Sequence, residues 1–174
     1  MRRSVVFAIL LVAFALAGPR LVSTFAQDAT PVPGMDMPAG AVGLTSMVLA
    51  KIEPAVAAGH ELQLVRVEVA EGATVAAHTH PGTIALCLES GSLVFGVVDG
   101  TVTMTQAATA ATPEAATPLT AGTETTLQPG DCLTFDASAT SHTLRNIGGP
   151  AVIWQAQLYA LGEKPTTFLA TPTA

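Results

Sequence analysis

The stretch "GATVAAHTHPGTIALCLESGSLVFG", from Gly72 to Gly96, places two of the chain's four histidines one residue apart. His78 and His80 stand among small and apolar residues, in a chain of which 49% is hydrophobic and only 11% is charged. Side chains at positions i and i+2 of a strand point to the same face, about 6.6 Å apart along it. The two imidazoles are therefore predicted to share one strand face, close enough to converge on one ion.

The segments around this stretch have the period-two pattern of short β-strands. In "LQLVRVEVA", residues 62–70, three valines alternate with an arginine and a glutamate, which is typical of a half-buried strand. Ser90-Gly91 and Asp99-Gly100 divide the next segments, and Asp99-Gly100 is a strong hairpin signal. No segment beyond the amino-terminal residues has a convincing helical period. The sequence therefore predicts an all-β sandwich or barrel.

The amino-terminal residues have the organisation of an export signal. Arg2 and Arg3 precede an apolar run from Val5 to Gly18, which is short for a membrane span of roughly 20 residues. We expect a signal peptide over residues 1–26, cleaved after Ala26, and hence an exported protein with no membrane contact in its mature form. The alternative, an uncleaved amino-terminal anchor, stays open.

The rest of the chain is predicted to form one domain. Residues 27–41 are rich in Pro and Gly and are expected to form a flexible linker, followed by a barrel domain over residues 42–163. Within it, the Ala-, Thr- and Pro-rich residues 107–123 are predicted to form a surface loop. Residues 164–174 are predicted to form a loose carboxyl-terminal tail.

The charge balance excludes some partners. Cleavage after Ala26 would remove three of the seven basic residues and none of the thirteen acidic ones, so the formal net charge would fall from −6 to −9. Four basic residues cannot neutralise many phosphates, so a nucleic-acid partner is not expected. Anionic membrane surfaces are unsuitable for the same reason.

The spacing of Gly72, His78, His80 and Gly91 resembles the first motif of the cupins, which runs Gly, five residues, His-x-His, three or four residues, Glu, six residues, Gly. Ile84 stands where that motif has its Glu. Glu89 has the opposite strand parity and should point outward.

The stretch "GDCLTFDASATSHTLRN", from Gly130 to Asn146, resembles the second cupin motif: Gly, five residues, Pro-x-Gly, two residues, His, three residues, Asn. Asp136 and Ser138 replace its Pro and Gly, and the gap before His142 is one residue longer. The resemblance implies an all-β cupin-like jelly-roll barrel in which His142 joins His78 and His80. By analogy it also implies a homodimer.

Three imidazoles without a carboxylate suit a divalent transition metal such as zinc, copper, nickel or iron better than manganese or magnesium. Asp136 is an open alternative as an oxygen ligand. The barrel lining implied by Leu86, Leu88, Leu133 and Phe135 is apolar, and the sequence offers no evident general acid or base near the histidines.

Cys87 and Cys132 are the only cysteines. The resemblance implies that they lie on neighbouring strands of one sheet, where a disulfide is one hypothesis. A pair of small buried hydrophobic residues is the other.

Three functions stay open at this point. The first is binding of a divalent metal, a small molecule or both through the histidine cluster. The second is metal-dependent catalysis on a small molecule, as in oxygenase- or isomerase-like cupins. The third is a metal-free structural or ligand-binding barrel. Catalysis is left undecided because a fold does not fix a function.

Overall fold

A computed structural model describes residues 40–107 and 116–170. The predicted signal peptide and most of the predicted linker lie outside the described residues and stay predictions. Among the described residues, no helix has the length and apolar character needed to cross a membrane. A short 3-10 turn spans Ala55–Ala57. The strands are β1 (Ala41–Ile52), β2 (His60–Thr79), β3 (Gly82–Ser90), β4 (Leu93–Asp99), β5 (Thr101–Thr105), β6 (Ala116–Thr120), β7 (Glu124–Leu127), β8 (Cys132–Asp136), β9 (Ser141–Arg145), β10 (Ala151–Ala160) and β11 (Thr167–Phe168).

The strands form one antiparallel sheet in the order β6-β5-β8-β3-β10-β2-β9-β4-β7, with β1 and β11 also paired to β2. The 20-residue strand β2 belongs to both halves of this sheet. Its first half pairs with β10, and its second half pairs with β9. One strand therefore connects the two halves, so the sheet curls. The all-β prediction is confirmed, and the curled sheet fits the jelly roll implied by the resemblance.

Strand β2 changes direction at Gly72, whose φ of +73° favours glycine. The buried Asn146 side chain holds this corner by donating from Nδ2 to the carbonyl oxygens of Val69 and Ala70, at 3.1 and 2.9 Å. Its backbone N–H also donates to the carbonyl oxygen of Ala73 at 2.8 Å. The Gly that begins the first cupin-like motif and the Asn that ends the second thus meet in the structure, and both have a structural role.

The hydrophobic core follows the predicted alternation. Val65, Val67 and Val69 are buried, and the intervening Arg66 and Glu68 pair with each other on the outer face. Leu88 and Leu133 are also buried in the core.

The predicted hairpin at Asp99-Gly100 is wrong. Strand β4 pairs with β7 and β9, whereas β5 pairs with β6 and β8. The turn therefore carries the chain from one part of the curled sheet to the other. Gly100 has φ +87°, and a Cβ there would lie 2.7 Å from the carbonyl oxygen of Ala139. The glycine is needed for a close backbone approach at this corner rather than for a two-residue hairpin.

The prediction of a surface loop over residues 107–123 is wrong for its second half. Ala116–Thr120 forms β6, which pairs with β5, and Leu119 is buried opposite Val102. Because β6 is the last strand at one end of the sheet order, Pro118 can be part of it without costing a ladder hydrogen bond. Residues 108–115 lie outside the described residues.

The predicted loose tail is ordered in part. Thr167 and Phe168 pair with the end of β2, and the backbone N–H of Leu169 donates to the carbonyl oxygen of Ala77 at 2.8 Å. Phe168 is half-buried and packs against the core. This apolar contact and the strand pairing fix the segment, and neither could be inferred from local composition.

Candidate metal centre

Strands β2 and β9 bring the three predicted histidines together. His78 and His142 are directly paired in the ladder, and a register shift between Val75 and His78 lies beside them. His80 follows the end of β2. The ring centres of His78 and His142 are 4.1 Å apart, and those of His78 and His80 are 4.8 Å apart. One nitrogen from each ring lies within 4.8 Å of the others. Nitrogens bound to one zinc ion at about 2.1 Å are at most about 4.2 Å apart, so only a small closure is needed.

Two of the rings are oriented by carbonyl oxygens. His78 Nδ1 is 2.8 Å from the carbonyl oxygen of Ala76, and His80 Nδ1 is 2.6 Å from that of Pro165. A carbonyl can only accept, so the proton of each neutral ring is on Nδ1. The lone pair is then on Nε2, where a metal can bind. This arrangement matches the outer hydrogen bonds of metal-ligating histidines.

Burial keeps the three rings neutral. It lowers the pKa of His78 below its ordinary value and lowers that of His80 to about 4, with the charge of His78 as a second cause. Burial also lowers the pKa of His142 to about 2, and the charges of His78 and His80 add to this. Metal binding requires neutral imidazole, so the site needs no deprotonation near pH 7.

Each ring also packs against an aromatic side chain. Phe95 stacks on His142 with ring centres 5.2 Å apart, and Phe135 meets the same ring edge-on at 5.0 Å. Tyr159 stacks on His80 at 5.6 Å, and the ring centre of Phe168 lies 5.5 Å from that of His78. The aromatic contacts and the carbonyl hydrogen bonds restrict the rotamers of the cluster.

No carboxylate joins the cluster among the described residues. Ile84 is buried and lines the cavity beside the histidines, as its strand parity predicted. Glu89 is exposed and accepts a hydrogen bond from Trp154 Nε1 at 2.7 Å. Asp136, the open alternative, is also exposed, and its Oδ1 accepts from the backbone N–H and hydroxyl of Ser138. Asp136 therefore stabilises a turn and supplies no oxygen to the cluster.

The histidines lie in the wall of a cavity of about 660 Å³, a volume within the range of small-molecule sites. Among the four lining residues predicted from the sequence, Leu86 lines this cavity, whereas Leu88, Leu133 and Phe135 do not. Most of the remaining wall is apolar.

The polar part of this wall was not predicted. Gln155, Gln157 and Tyr159 of β10 all line the cavity. They alternate with residues on the opposite face, such as the exposed Trp154. Both glutamines have the same strand parity as the buried Ile153, and this pattern could have indicated polar side chains on the inner face of the strand. The Tyr159 hydroxyl is buried without a hydrogen bond of normal geometry in the described part of the chain; burial raises its pKa, and the nearby Gln155 side chain lowers it by less.

Cys87 and Cys132 are joined by a disulfide. They are register partners on β3 and β8, and their Cα atoms are 4.1 Å apart. Neither cysteine lines the cavity. The bond therefore links β3, which contributes to the wall, to the neighbouring strand β8 without contributing a sulfur ligand.

No protein-family model matches the chain, and no curated protein matches it. Several solved structures are similar to the chain. A cupin 2 conserved barrel domain protein from Rhodopseudomonas palustris is 14% identical, with a TM-score of 0.43 over 78% of this chain and 73% of that one. A cupin-superfamily sugar phosphate isomerase from Silicibacter pomeroyi DSS-3 is 18% identical, with a TM-score of 0.46 over 74% and 67% of the two chains.

A DMSP lyase from Ruegeria pomeroyi DSS-3 is 15% identical, with a TM-score of 0.46 over 65% of this chain. The match spans less than half, 45%, of that lyase's chain. Solved cupin structures are thus among those similar to this chain. The chemistry of the site has to be inferred from its own geometry, because these TM-scores are below 0.5.

Proposed function

We propose that this protein binds one divalent transition metal through His78, His80 and His142, and a small molecule in the adjoining cavity. The observation that carries the proposal is the convergence of three neutral imidazoles, with one nitrogen of each within 4.8 Å of the others, on the wall of a cavity of about 660 Å³. Zinc, copper, nickel or iron fit this donor set, whereas ions that prefer oxygen ligands do not. A metal bound there would act as a Lewis acid beside the cavity.

The environment of His142 supports a bound ion. Its Nδ1 is buried and, although the Thr140 backbone is nearby, makes no hydrogen bond of normal geometry in the described part of the chain. Leaving a buried polar nitrogen unpaired is costly, and a pKa of about 2 means that protonation does not stabilise the ring. A metal coordinated by this nitrogen would give it a partner and offset this cost.

Metal-dependent catalysis on the bound molecule is the second candidate, and Tyr159 favours it. Its buried hydroxyl lines the cavity, and its ring stacks on the His80 ring. A hydroxyl in this position is available to hold or donate a proton at a bound molecule. Under this second function, Tyr159→Phe would retain the metal but lose turnover.

We also propose that the protein acts outside the cytoplasm. The support is the amino-terminal sequence pattern, together with the disulfide between Cys87 and Cys132. Disulfides persist in oxidising compartments and are rare in the cytosol. Amino-terminal sequencing of the protein secreted by its host tests this directly, since we expect a mature chain that begins at Gln27.

Elemental analysis after zinc loading and dialysis tests the metal site. We expect one ion per chain in the wild type, a large loss in His78→Ala and in His142→Ala, and full retention in His60→Ala. His60 is the matched control because it lies outside both the cluster and the cavity lining. Absence of zinc from the wild type, or equal zinc in all four proteins, would contradict the proposal.

A further inference from the structure

Three glutamine side chains connect the cavity wall to a carboxylate near the surface. Gln155 Nε2 donates to Gln157 Oε1 at 2.7 Å, and Gln157 Nε2 donates to Gln63 Oε1 at 2.7 Å. Gln63 Nε2 in turn donates to Glu61 Oε1. Glu61 Oε2 lies 3.1 Å from the exposed Lys51 ammonium. The result is a continuous row of hydrogen bonds that all point the same way.

Glu61 determines the direction of this row. An ionised carboxylate can only accept hydrogen bonds, so it selects the NH₂ end of Gln63. Each following amide must then present its NH₂ to one neighbour and its oxygen to the other. The hydrogen bond from Gln63 and the nearby Lys51 lower the pKa of Glu61, which keeps it ionised at neutral pH. Turning the three amides over would bring a carbonyl oxygen against the carboxylate.

The free end of the row lies at the cavity. There the last group is Gln155 Oε1, an acceptor that takes part in none of the hydrogen bonds among the described residues. The Tyr159 hydroxyl also lines the cavity and approaches the Gln155 side chain, which lowers its pKa against the larger effect of burial, without forming a hydrogen bond of normal geometry. Beyond the histidines, most other lining side chains are apolar; the remaining polar ones are Ser46, Gln157, Lys164, Thr166 and Thr167.

We propose that the cavity selects a small, mainly apolar ligand that carries a hydroxyl or another hydrogen-bond donor, and that Glu61 is the positioning residue that sets this preference through Gln63, Gln157 and Gln155. A hydroxyl donates to Gln155 Oε1 and can accept from Tyr159. A ketone of the same shape has only lone pairs and leaves the Gln155 oxygen unpaired. One neutral hydrogen bond corresponds to a preference of about fivefold for the hydroxyl. The inference rests on the small-molecule part of the proposed function.

Cyclohexanol and cyclohexanone are suitable probes, since they share a ring and differ in the donor. Their dissociation constants are measured by NMR titration of the protein as purified and again after zinc loading. We expect cyclohexanol to bind about fivefold more tightly in the wild type. In Glu61→Gln, the Gln63 amide can present either its NH₂ or its oxygen to residue 61, so the orientation of the row is no longer fixed. The ratio of the two dissociation constants should then approach one.

Glu68→Gln is the matched control. Glu68 lies on the same strand but pairs with Arg66 on the outer face, so the same loss of charge should leave the ratio unchanged. Gln155→Leu removes the acceptor itself and should abolish the preference. No preference in the wild type, an unchanged ratio in Glu61→Gln, or no binding of either probe overturns the inference. Zinc content, measured on the same samples, reports separately on the histidine site and should not change in Glu61→Gln.

Discussion

His78 of β2 and His142 of β9 lie directly opposite each other in the ladder, with ring centres 4.1 Å apart. Because the pairing of two strands fixes the separation of opposed Cβ atoms, the two side chains stay adjacent as long as the ladder is intact. The first two ligands of the candidate metal site are therefore preorganised by the fold. The third, His80, lies beyond the end of β2 and depends on the hydrogen bond to Pro165.

Stability of the metal-free protein should fall on acidification. The folded-state pKa values of the three histidines lie below the ordinary value of about 6.5, at about 4 for His80 and about 2 for His142. Below pH 6.5 the unfolded chain therefore binds more protons than the folded chain does. The contribution of the three neutral histidines to the free energy of unfolding is complete above pH 6.5 and is lost as the pH falls. Each histidine contributes a slope of up to about 1.4 kcal/mol per pH unit.

Urea denaturation between pH 7.5 and 4.5, in the presence of a chelator, measures this slope. The His142→Gln variant should give a shallower pH dependence than the wild type. Equal free energies of unfolding at pH 7.5 and 4.5 in the wild type would be incompatible with three buried neutral imidazoles.

Replacing Ile84 by glutamate should change the metal preference. The side chain faces the cavity at the position where a cupin has its carboxylate, so Ile84→Glu would add a hard oxygen donor. We expect the ratio of manganese affinity to zinc affinity to be about tenfold higher in Ile84→Glu than in the wild type. Without metal, a buried unpaired carboxylate should lower the free energy of unfolding by about 3 kcal/mol.

Val102→Glu is the control for this change. Val102 is fully buried but does not line the cavity. The loss of stability caused by Val102→Glu should therefore not be relieved by any metal. If manganese relieved both variants equally, or neither, Ile84 would not face the ion.

Strand parity predicts that His78 and His80 share one face, whereas the position of His142 beside them was implied only by the resemblance to the second cupin motif. The inward placement of Ile84 and the outward placement of Glu89 follow from the same parity. What the sequence could not predict depends on contacts between distant segments. Strand β6 forms because Leu119 is buried opposite Val102, and Phe168 is fixed by pairing with His78. Neither partner can be identified from local composition.

The turn and the polar wall were missed for a related reason. Asp99-Gly100 is chemically suited to a hairpin, but a jelly roll uses the same tight turn to pass between parts of the sheet. Gln155 and Gln157 have the inward parity of their strand. Parity alone does not distinguish a packed core position from a position beside a cavity.

Removing residues 164–174 should weaken metal binding without abolishing it. The truncation deletes the Pro165 carbonyl that accepts from His80 Nδ1, while the His78–His142 pair remains in the ladder. Loss of such an outer hydrogen bond costs about 10- to 100-fold in metal affinity. Zinc titration of the truncated protein checks this.

The matched control for the tail is Thr166→Val. It removes a hydroxyl 3.4 Å from His80 Nδ1 and keeps the backbone carbonyl, so zinc affinity should barely change. Full-strength binding by the truncated protein would mean that the tail does not orient His80.

Removal of the disulfide should reduce stability but not metal binding. Cys87 and Cys132 are separated by 45 residues, and closing a loop of that length in the unfolded chain corresponds to about 4 kcal/mol. In urea denaturation, the Cys87→Ala/Cys132→Ala double variant should have a free energy of unfolding lower by about 4 kcal/mol, and it should still bind one zinc ion. Unchanged stability would indicate that the bond does not form.

The most direct measurement is anomalous diffraction at the zinc edge from crystals of the zinc-loaded protein. The account predicts one strong peak, about 2.1 Å from a single nitrogen of each of His78, His80 and His142, open on its remaining side to the cavity lined by Gln155 and Tyr159. A peak bound elsewhere, such as at His60 or at surface carboxylates, with none among these three rings, would contradict it.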